Sequence, residues 1–461
     1  TQLIFKQTER VKMFLLKSIP KVDKFIQNKA FTQMSVKLTT KISKQIIENL
    51  RADILAEKVT SIDEEKLILD VINEYNNITQ PSLQKVINAT GVIVHTNLGR
   101  SLISSDTFDK VKNIVTSYNN LEYDLEKGKR GERYSHISKV ICEFLGCEDV
   151  LIVNNNASAV FLILNTFAKN KEAVVSRGEL VEIGGSFRVP DVMSNSGAVL
   201  KEIGTTNKTH PKDYQNACNE NTSILMKVHK SNYSIEGFTS EVSHEEIVKI
   251  AKENNVLDYY DMGSGHMIDL PYNLNQYEPS VLDIMKYDPS LLSFSGDKLL
   301  GSIQAGIIVG KKKYIDELKK NQLLRMLRVD KITLAILEDN ITSLLLGKND
   351  DIPTLEMLCT SLEELEKRAT TLKENIQQHC QCEVIQTSTV IGGGTTPNKK
   401  IPTIALAIGF NNYKANKLEK LFRKNNIIGR IENDKYLLDF RSIQKTELEN
   451  LEKTIIKIIN D

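Results

Sequence analysis

One lysine of this chain stands in a setting that is typical of a reactive amine. Residues 292–301 read LSFSGDKLLG, so Lys298 follows an apolar run and has small and hydroxylated neighbours. The apolar run predicts a strand that ends just before Lys298. Taken alone, the segment favours an ordinary surface lysine, since most lysines in loops are solvated.

An aspartate upstream changes that balance. Residues 256–266 read VLDYYDMGSGH, which predicts a strand with Asp261 at its carboxyl end, before a flexible turn. Ligands of open α/β sheets bind outside the carboxyl ends of the strands, so Asp261 and Lys298 are predicted to meet in one crevice. The alternative for Asp261 is the N-cap of a helix.

This pair of residue types predicts pyridoxal 5'-phosphate as a cofactor. A lysine amine forms a Schiff base with its aldehyde, and a carboxylate keeps its ring nitrogen protonated while the ring accepts electrons. We assign the first role to Lys298 and the second to Asp261. Burial beside a cofactor lowers the pKa of a lysine and leaves a free amine to react.

A third segment predicts a site for the phosphate of this cofactor. Residues 154–164 read NNNASAVFLIL and follow a predicted strand at residues 150–153. Small residues open a helix there, and its free N–H groups and its dipole favour a dianion. We assign Asn156, Ala157 and Ser158 to this cradle, with Ser295 reaching in from the lysine loop. Ordinary N-capping by asparagine explains the segment equally well.

Strands and helices alternate through the middle of the chain. Apolar runs that predict strands, separated by helical stretches, lie at residues 173–176, 198–203, 223–228, 256–260 and 291–293. This alternation predicts an α/β domain with a mostly parallel sheet. After Lys331 the pattern is helical to about residue 378, and residues 401–408, 415–424 and 435–441 then predict a small α+β end.

The chain resembles the bacterial selenocysteine synthases, the L-seryl-tRNA(Sec) selenium transferases, which are aspartate-aminotransferase-like (fold-type I) pyridoxal phosphate enzymes. The matching segments run in order from about residue 80 to about residue 340. Besides the three segments above they are INATGVIVHTNLGR (87–100), YDL (123–125), GER (131–133), SRGELVEIGGSFR (176–188), GTTN (204–207), HKSNY (229–233) and LRMLRVDK (324–331). The resemblance implies a mostly parallel seven-stranded sheet with helices on both faces.

Two segments depart from the family pattern. After the lysine the family usually reads GGPQAG, whereas residues 301–306 read GSIQAG. Residues 392–397 read GGGTTP and resemble the family's triple-glycine segment with a less familiar continuation.

The resemblance implies conversion of seryl-tRNA(Sec) to selenocysteyl-tRNA(Sec) with selenophosphate, for selenoprotein synthesis. Lys298 would take the α-proton of the serine, hydroxide would leave to give a cofactor-bound aminoacrylyl-tRNA, and selenium would add at the same carbon. Asp297 is assigned a catalytic role, either steering Lys298 or protonating the leaving hydroxyl. His229 is placed in the cofactor-binding set, although neither His229 nor Glu179 has a defined role.

The resemblance assigns selenophosphate binding to Arg100, Arg325 and Arg328. A guanidinium grips phosphate oxygens in two parallel hydrogen bonds and stays charged. Serine esterified to tRNA has no free carboxylate, so these arginines are not needed to clamp one. The spacing of Arg325 and Arg328 predicts that both lie on one helix face, where ordinary surface charge is the alternative.

Positive charge is concentrated near the beginning of the sequence. The net charge is +1, but residues 1–60 carry twelve Lys or Arg against five Asp or Glu, a local +7 that leaves −6 for the rest. Apolar residues recur among them at helical spacing, which predicts a small helical domain with a basic face. A solvated helix surface is the simpler explanation by itself; with the resemblance, docking of the tRNA is the better one.

The length of 461 residues predicts roughly three domains. We place a basic helical tRNA-binding domain with its linker at residues 1–80, the large cofactor-binding α/β domain at 81–340, and a helical and α+β domain at 341–461. No apolar run reaches the roughly 20 residues that span a bilayer, and no secretory signal is evident. Six cysteines without paired spacing predict neither a disulfide framework nor a metal site. We therefore expect a cytoplasmic protein without membrane or metal partners.

Two alternatives stand beside selenium transfer. One is a β-eliminating lyase with the same cofactor that acts on a small amino acid or amino sugar without RNA, and the basic N-terminal region argues against it. The other is a tRNA-binding protein with an inactive core, and the presence of both Lys298 and Asp261 argues against it. The resemblance also implies a homo-oligomer, a decameric ring of dimers.

Overall fold

The computed structural model describes residues 2–183, 187–230, 232–395 and 399–460. Parts of three segments that carry the family resemblance, residues 184–186, Ser231 and residues 396–397, lie outside these described residues. The chain divides into two compact units, Thr1–Lys85 and Val86–Asp461. Within the described ranges, no helix has the length and apolar character needed to cross a bilayer.

The first unit is a small helical bundle. Its α-helices are α1 (Gln2–Ser18), α2 (Val22–Phe25), α3 (Val36–Leu55) and α4 (Glu64–Thr79). Apolar residues at helical spacing meet in a core that contains Phe25, Phe31, Ile42, Ile47, Leu67 and Val71. Asp63 caps α4 by accepting a hydrogen bond from the Lys66 N–H, and the helix ends at Thr79, shortly before Pro81.

The second unit is a mixed α/β structure. Its helices are α5 (Ser105–Val115), α6 (Ser135–Leu145), α7 (Asn156–Phe167), α8 (Val189–Ser196), α9 (Pro211–Ala217), α10 (His244–Asn254), α11 (Val281–Met285), α12 (Lys312–Lys320), α13 (Leu324–Leu327), α14 (Lys331–Leu345), α15 (Pro353–Cys359), α16 (Leu362–Ile376), α17 (Ala415–Lys424) and α18 (Leu448–Asn460). Its strands are β1 (Ile87–Asn88), β2 (Tyr123–Asp124), β3 (Lys129–Arg130), β4 (Asp149–Val153), β5 (Glu172–Ser176), β6 (Glu182–Ile183), β7 (Phe187–Arg188), β8 (Val199–Ile203), β9 (Thr222–Val228), β10 (Leu257–Gly263), β11 (Leu291–Ser295), β12 (Gly306–Gly310), β13 (Gln381–Val390), β14 (Lys400–Gly409), β15 (Ile427–Ile428), β16 (Arg430–Glu432) and β17 (Lys435–Asp439).

A seven-stranded sheet forms the centre of this unit, in the order β4-β12-β11-β10-β9-β5-β8. Strand β12 pairs antiparallel with both of its neighbours, and the other pairs are parallel. Strands β4, β11 and β12 are buried along their whole length, as expected for a sheet covered on both faces. The predicted α/β class with a mostly parallel seven-stranded sheet is confirmed. The carboxyl ends of its parallel strands lie at one edge of the sheet. Asp261 in β10 and Lys298 just after β11 both lie at this edge.

A second, antiparallel sheet has the order β13-β14-β17-β16. Its core includes residues of α16, α17 and α18 and also Ile87 and Ala89 from the beginning of the unit. The predicted boundary between residues 340 and 341 falls inside α14, whose Leu337 and Ile341 both belong to the core of the large sheet. A separate C-terminal domain that begins at this boundary stays a prediction.

Candidate active site

Lys298 lies in the loop that follows strand β11, and its side chain is buried. The Ser101 hydroxyl and the Gly301 N–H both donate to the Lys298 carbonyl, at 2.8 and 2.9 Å, which fixes the loop. Among the described residues, Nζ has neither a hydrogen bond nor an ion pair. Burial lowers the pKa of this amine, and the nearby Arg100 charge lowers it further, against the opposing effect of Asp261. Lys298 is thus a buried amine and not a solvated surface lysine.

Asp261 lies in β10, the neighbour of β11, at the carboxyl edge of the sheet. Asn156 Nδ2 donates to its Oδ1 at 2.7 Å, and the His229 backbone N–H donates to its carbonyl at 2.9 Å. Burial raises the pKa of the carboxyl to about 6, although the Asn156 bond and the Lys298 charge act in the other direction. The Asn156 hydrogen bond and the Lys298 charge both favour the anion. The helix N-cap alternative for Asp261 is wrong, because the residue belongs to a strand.

The start of helix α7 confirms the N-capping interpretation of the asparagine-rich segment, while the phosphate cradle stays a prediction. Asn155 is the N-cap, since its Oδ1 accepts the Ser158 N–H at 2.8 Å. Asn156 instead reaches Asp261, and Ala157 is exposed at the helix start. Ser295, the last residue of β11, is buried. The capping therefore occupies the Ser158 N–H, while the first two N–H groups of α7 have no acceptor among the described residues.

Arg100 and Asp297 form an ion pair directly beside Lys298. Arg100 Nη1 donates to Asp297 Oδ2 at 2.7 Å, with the arginine half-exposed and the aspartate buried. Arg100 has a positive φ of 63°, and its N–H donates to the His95 carbonyl at 3.1 Å. This tight turn brings the guanidinium to the lysine loop.

Arg325 and Arg328 belong to a segment that lies against the carboxyl end of β4, because Arg328 forms an isolated bridge with Val153 and the Asn154 N–H donates to the Leu327 carbonyl at 3.1 Å. Helix α13 ends at Leu327 and Arg328 continues in an extended conformation, so the prediction that both arginines share one helix face is wrong. Both line a cavity of about 430 Å³ whose other basic residues are Arg130, Arg133, Lys319 and Lys320. Arg328 Nη1 lies 3.4 Å from Glu122 Oε1. In the part of the chain that the structure describes, neither arginine has a polar contact with Lys298, Asp297 or Arg100.

Two residues of the site were not predicted from the sequence to have a role there. They are Gly394, which lies beside Lys298, and Glu278, which lies beside His229. A Cβ at Gly394 would lie 2.6 Å from Lys298 Nζ, so the last glycine of the triple-glycine segment packs against the amine. Glu278 is fully buried, and its Oε1 lies 3.6 Å from His229 Nδ1. The glycine run was a visible signal for the first of these contacts, whereas a single acid in a loop gives no signal for the second.

A sequence model of the SelA family, described as L-seryl-tRNA selenium transferase, matches residues 86–444. The chain belongs to this family. The L-seryl-tRNA(Sec) selenium transferase of Sulfurimonas denitrificans is 67% identical over 97% of this chain and 100% of its own length. That of Aliarcobacter butzleri is also 67% identical, over 96% of this chain and 98% of its own length. The family resemblance seen in the sequence is confirmed.

Among solved structures, D-glucosaminate-6-phosphate ammonia-lyase is similar with a TM-score of 0.60 and 17% sequence identity. The likeness covers 84% of this chain and 98% of that chain. At this level of identity it shows a shared fold, which agrees with the predicted aspartate-aminotransferase-like α/β class.

Proposed function

We propose that this chain converts seryl-tRNA(Sec) to selenocysteyl-tRNA(Sec) with selenophosphate as the selenium donor. The observation that carries the proposal is the buried amine of Lys298 beside the buried carboxylate of Asp261, in a chain of this family. Such a pair suits removal of a proton from a carbon whose electrons a bound cofactor accepts. Selenium then takes the place of the serine hydroxyl on the β-carbon.

The residues present fit pyridoxal 5'-phosphate, which we infer to be the cofactor. The amine of Lys298 is free of protein partners in the described structure and suits an aldehyde. The carboxylate of Asp261 accepts from Asn156 through Oδ1, so Oδ2 remains for a protonated ring nitrogen. The N–H groups of Asn156 and Ala157 at the start of α7 suit the phosphate. When bound, the cofactor draws electrons away from the α-carbon of the substrate.

In this proposal Lys298 is the base that removes the α-proton of the serine. The lowered pKa of its amine increases the unprotonated fraction at neutral pH, which a base requires. Asp297 steers Lys298, because its carboxylate is held by Arg100 and its carbonyl accepts the Ser101 N–H at 3.3 Å. An Asp297→Asn variant with unchanged turnover would contradict this steering role.

We assign Arg100, Arg325 and Arg328 to selenophosphate. The cavity that Arg325 and Arg328 line is rich in basic groups, which suits a polyanion. Replacing either residue by alanine is expected to raise KM for selenophosphate about 10- to 100-fold, the effect of losing a charge-assisted hydrogen bond. Both side chains are exposed, so folding should be unaffected.

The control for these variants is Arg423→Ala. Arg423 is also exposed and also pairs with a glutamate, Glu419, at 2.6 Å. Steady-state kinetics with varied selenophosphate measures the change. An unchanged KM in both Arg325→Ala and Arg328→Ala would remove these residues from the donor site.

We propose that the first unit binds the tRNA. Lys37, Lys41 and Lys44 are exposed on helix α3, spaced so that they share one face. Replacing all three by alanine is expected to weaken tRNA binding and to flatten its salt dependence. The slope of log K against log salt is negative, and each lost phosphate contact reduces its magnitude by about 0.7 to 0.9.

Filter binding at several salt concentrations measures this slope. The matched control replaces three exposed lysines of the second unit that have acidic partners, Lys252, Lys286 and Lys453. An equal loss of slope in both triple variants would contradict a specific role of α3.

The contact between Gly394 and Lys298 gives a further prediction. Alanine at position 394 would place a methyl group 2.6 Å from Nζ and 2.8 Å from Cε of Lys298. We expect kcat to fall about 100-fold, since a misplacement of about 1 Å at a reacting group has an effect of this size.

Gly347→Ala is the control, because Gly347 has a similar positive φ of 70° but nothing within 4 Å of its Cβ position. Backbone strain should lower the melting temperature of both variants by a similar amount. Equal kcat values in the two variants would show that the contact with Lys298 does not matter.

The family also supports a decameric ring of dimers and a cytoplasmic location as proposals. Analytical ultracentrifugation tests the first, and a monomer at micromolar concentration would contradict it. Cell fractionation tests the second.

The proposed function itself is tested with purified, cofactor-loaded protein, selenophosphate and either seryl-tRNA(Sec) or free serine. We expect conversion of serine only when it is esterified to the tRNA. Deacylation of the tRNA should then release selenocysteine. Conversion of free serine without tRNA would favour the lyase alternative instead.

A further inference from the structure

Glu278 is a buried acid without an adequate partner. Its side chain is fully buried in the loop before helix α11. The Ser264 hydroxyl donates to Oε1, while Oε2 has no hydrogen-bond partner within the described residues. The His229 imidazole lies beside it, with Nδ1 3.6 Å from Oε1.

An ionised carboxylate in this position would be costly, because one hydroxyl donor does not replace its hydration. Burial raises the pKa of Glu278 to about 8, and the Lys298 charge lowers this value only in part. Burial therefore favours the protonated, neutral form of the carboxyl group. A buried O–H group needs an acceptor.

His229 offers that acceptor. It follows strand β9, and its Nδ1 is buried and has no hydrogen-bond partner among the described residues. Burial, together with the charges of Lys227 and Lys298, lowers the pKa of His229 to about 4, so the ring is neutral. A neutral imidazole has one nitrogen that can accept a hydrogen bond. An acid that can donate thus faces an unpaired ring nitrogen that can accept.

We propose that Glu278 is a positioning residue whose protonated carboxyl donates a hydrogen bond to Nδ1 of His229 and so fixes the tautomer and orientation of the imidazole. The separation of 3.6 Å between Oε1 and Nδ1 is longer than an ordinary hydrogen bond, and the proposal is that the two groups approach each other in solution. This inference rests on the proposed function in one respect, the place of His229 in the cofactor-binding set.

The charges around Lys298 explain why a pair of neutral groups, Glu278 and His229, is useful there. Arg100 already lowers the pKa of Lys298, and a protonated His229 would add a second positive charge. Two further groups lie near Glu278. The Tyr260 hydroxyl stays protonated because burial raises its pKa. His266 Nε2 lies 2.7 Å from the backbone carbonyl of Glu278. Neither supplies a charge that would ionise Glu278.

Two variants separate a donating acid from an ionised carboxylate. Glu278→Gln can place its amide nitrogen at the position of Oε1, where the N–H groups can donate to Nδ1 of His229 and to the Ser264 oxygen, so it mimics a neutral acid that donates. Glu278→Ala removes both. We expect Glu278→Gln to retain most of kcat, and Glu278→Ala to lose about 10- to 100-fold, the effect of a buried group left without its partner.

An infrared readout tests the protonation state in the cofactor-free protein, independently of turnover. Labelling glutamate with carbon-13 identifies the carbonyl stretch of a protonated glutamic acid. We expect a labelled band at pH 7 that fades as the pH rises through about 8 and that is absent in Glu278→Gln.

Absence of that band, or a loss of kcat in Glu278→Gln as large as in Glu278→Ala, would overturn the proposal. If Glu278→Ala does not fold, the band and the kcat of Glu278→Gln decide the question. A wild-type protein that shows the band but no selenium transfer would contradict the proposed function and leave the protonated Glu278 intact.

Discussion

Replacing Lys298 by alanine is expected to lower kcat for selenium transfer by at least about 10³-fold, the middle of the range for loss of a positioned base. The variant removes both the group that would bind the cofactor aldehyde and the base that would take the α-proton. Because the side chain is buried and makes no polar contact among the described residues, its loss leaves no partner unsatisfied. Single-turnover rates with saturating seryl-tRNA measure the effect.

Lys286→Ala is the control for this prediction. Lys286 is exposed and pairs with Asp283 at 2.7 Å, so its loss should leave kcat unchanged. The melting temperature of both variants should stay close to that of the parent protein. A Lys298→Ala variant that keeps a tenth or more of kcat would show that another group is the base.

The second large effect is expected in the variant Asp261→Asn. Its kcat should fall about 10²- to 10³-fold, as when a charge that stabilises the transition state is removed. Asparagine has nearly the same shape as aspartate but cannot keep a ring nitrogen protonated. It can still accept the hydrogen bond from Asn156, so local structure should persist.

Asp258→Asn is the matched control, since Asp258 lies in the same strand, is also buried, and instead accepts from the Ser290 N–H and hydroxyl at 2.8 and 2.6 Å. This variant should lose stability without a comparable loss of kcat. Equal losses of kcat in the two variants would mean that Asp261 acts only through folding.

The same carboxyl predicts an acid limb in the pH profile of the cofactor-free protein. Because burial raises the pKa of Asp261 to about 6, the anion is lost as the pH falls through this value. Cofactor affinity should therefore decline below about pH 6, and this limb should be absent in Asp261→Asn. Binding titrations followed by absorbance check the profile.

Periodicity in the sequence was sufficient to place the central strands. The predicted segments overlap β5, β8, β9, β10 and β11, because apolar runs bounded by turns are a strong signal for buried strands. The same pattern placed Asp261 in β10 and Lys298 just after β11, at the edge where parallel strands end. These two positions followed from local signals alone.

Contacts between distant segments could not be predicted in this way. The antiparallel direction of β12 depends on how its connection folds back, and a short apolar run does not reveal it. Glu278 and His229 are separated by 49 positions in the sequence, and only the tertiary fold brings them together. The end of α13 before Arg328 was missed because helix boundaries are weak local signals.

The most direct measurement treats the cofactor-loaded protein with borohydride, which fixes the cofactor to the amine that binds it, and then maps the modified peptide by mass spectrometry. We expect the added mass on Lys298 and none in Lys298→Ala. Modification of a different lysine, or none in a protein that transfers selenium, would contradict the assignment of this buried amine as the centre of the site.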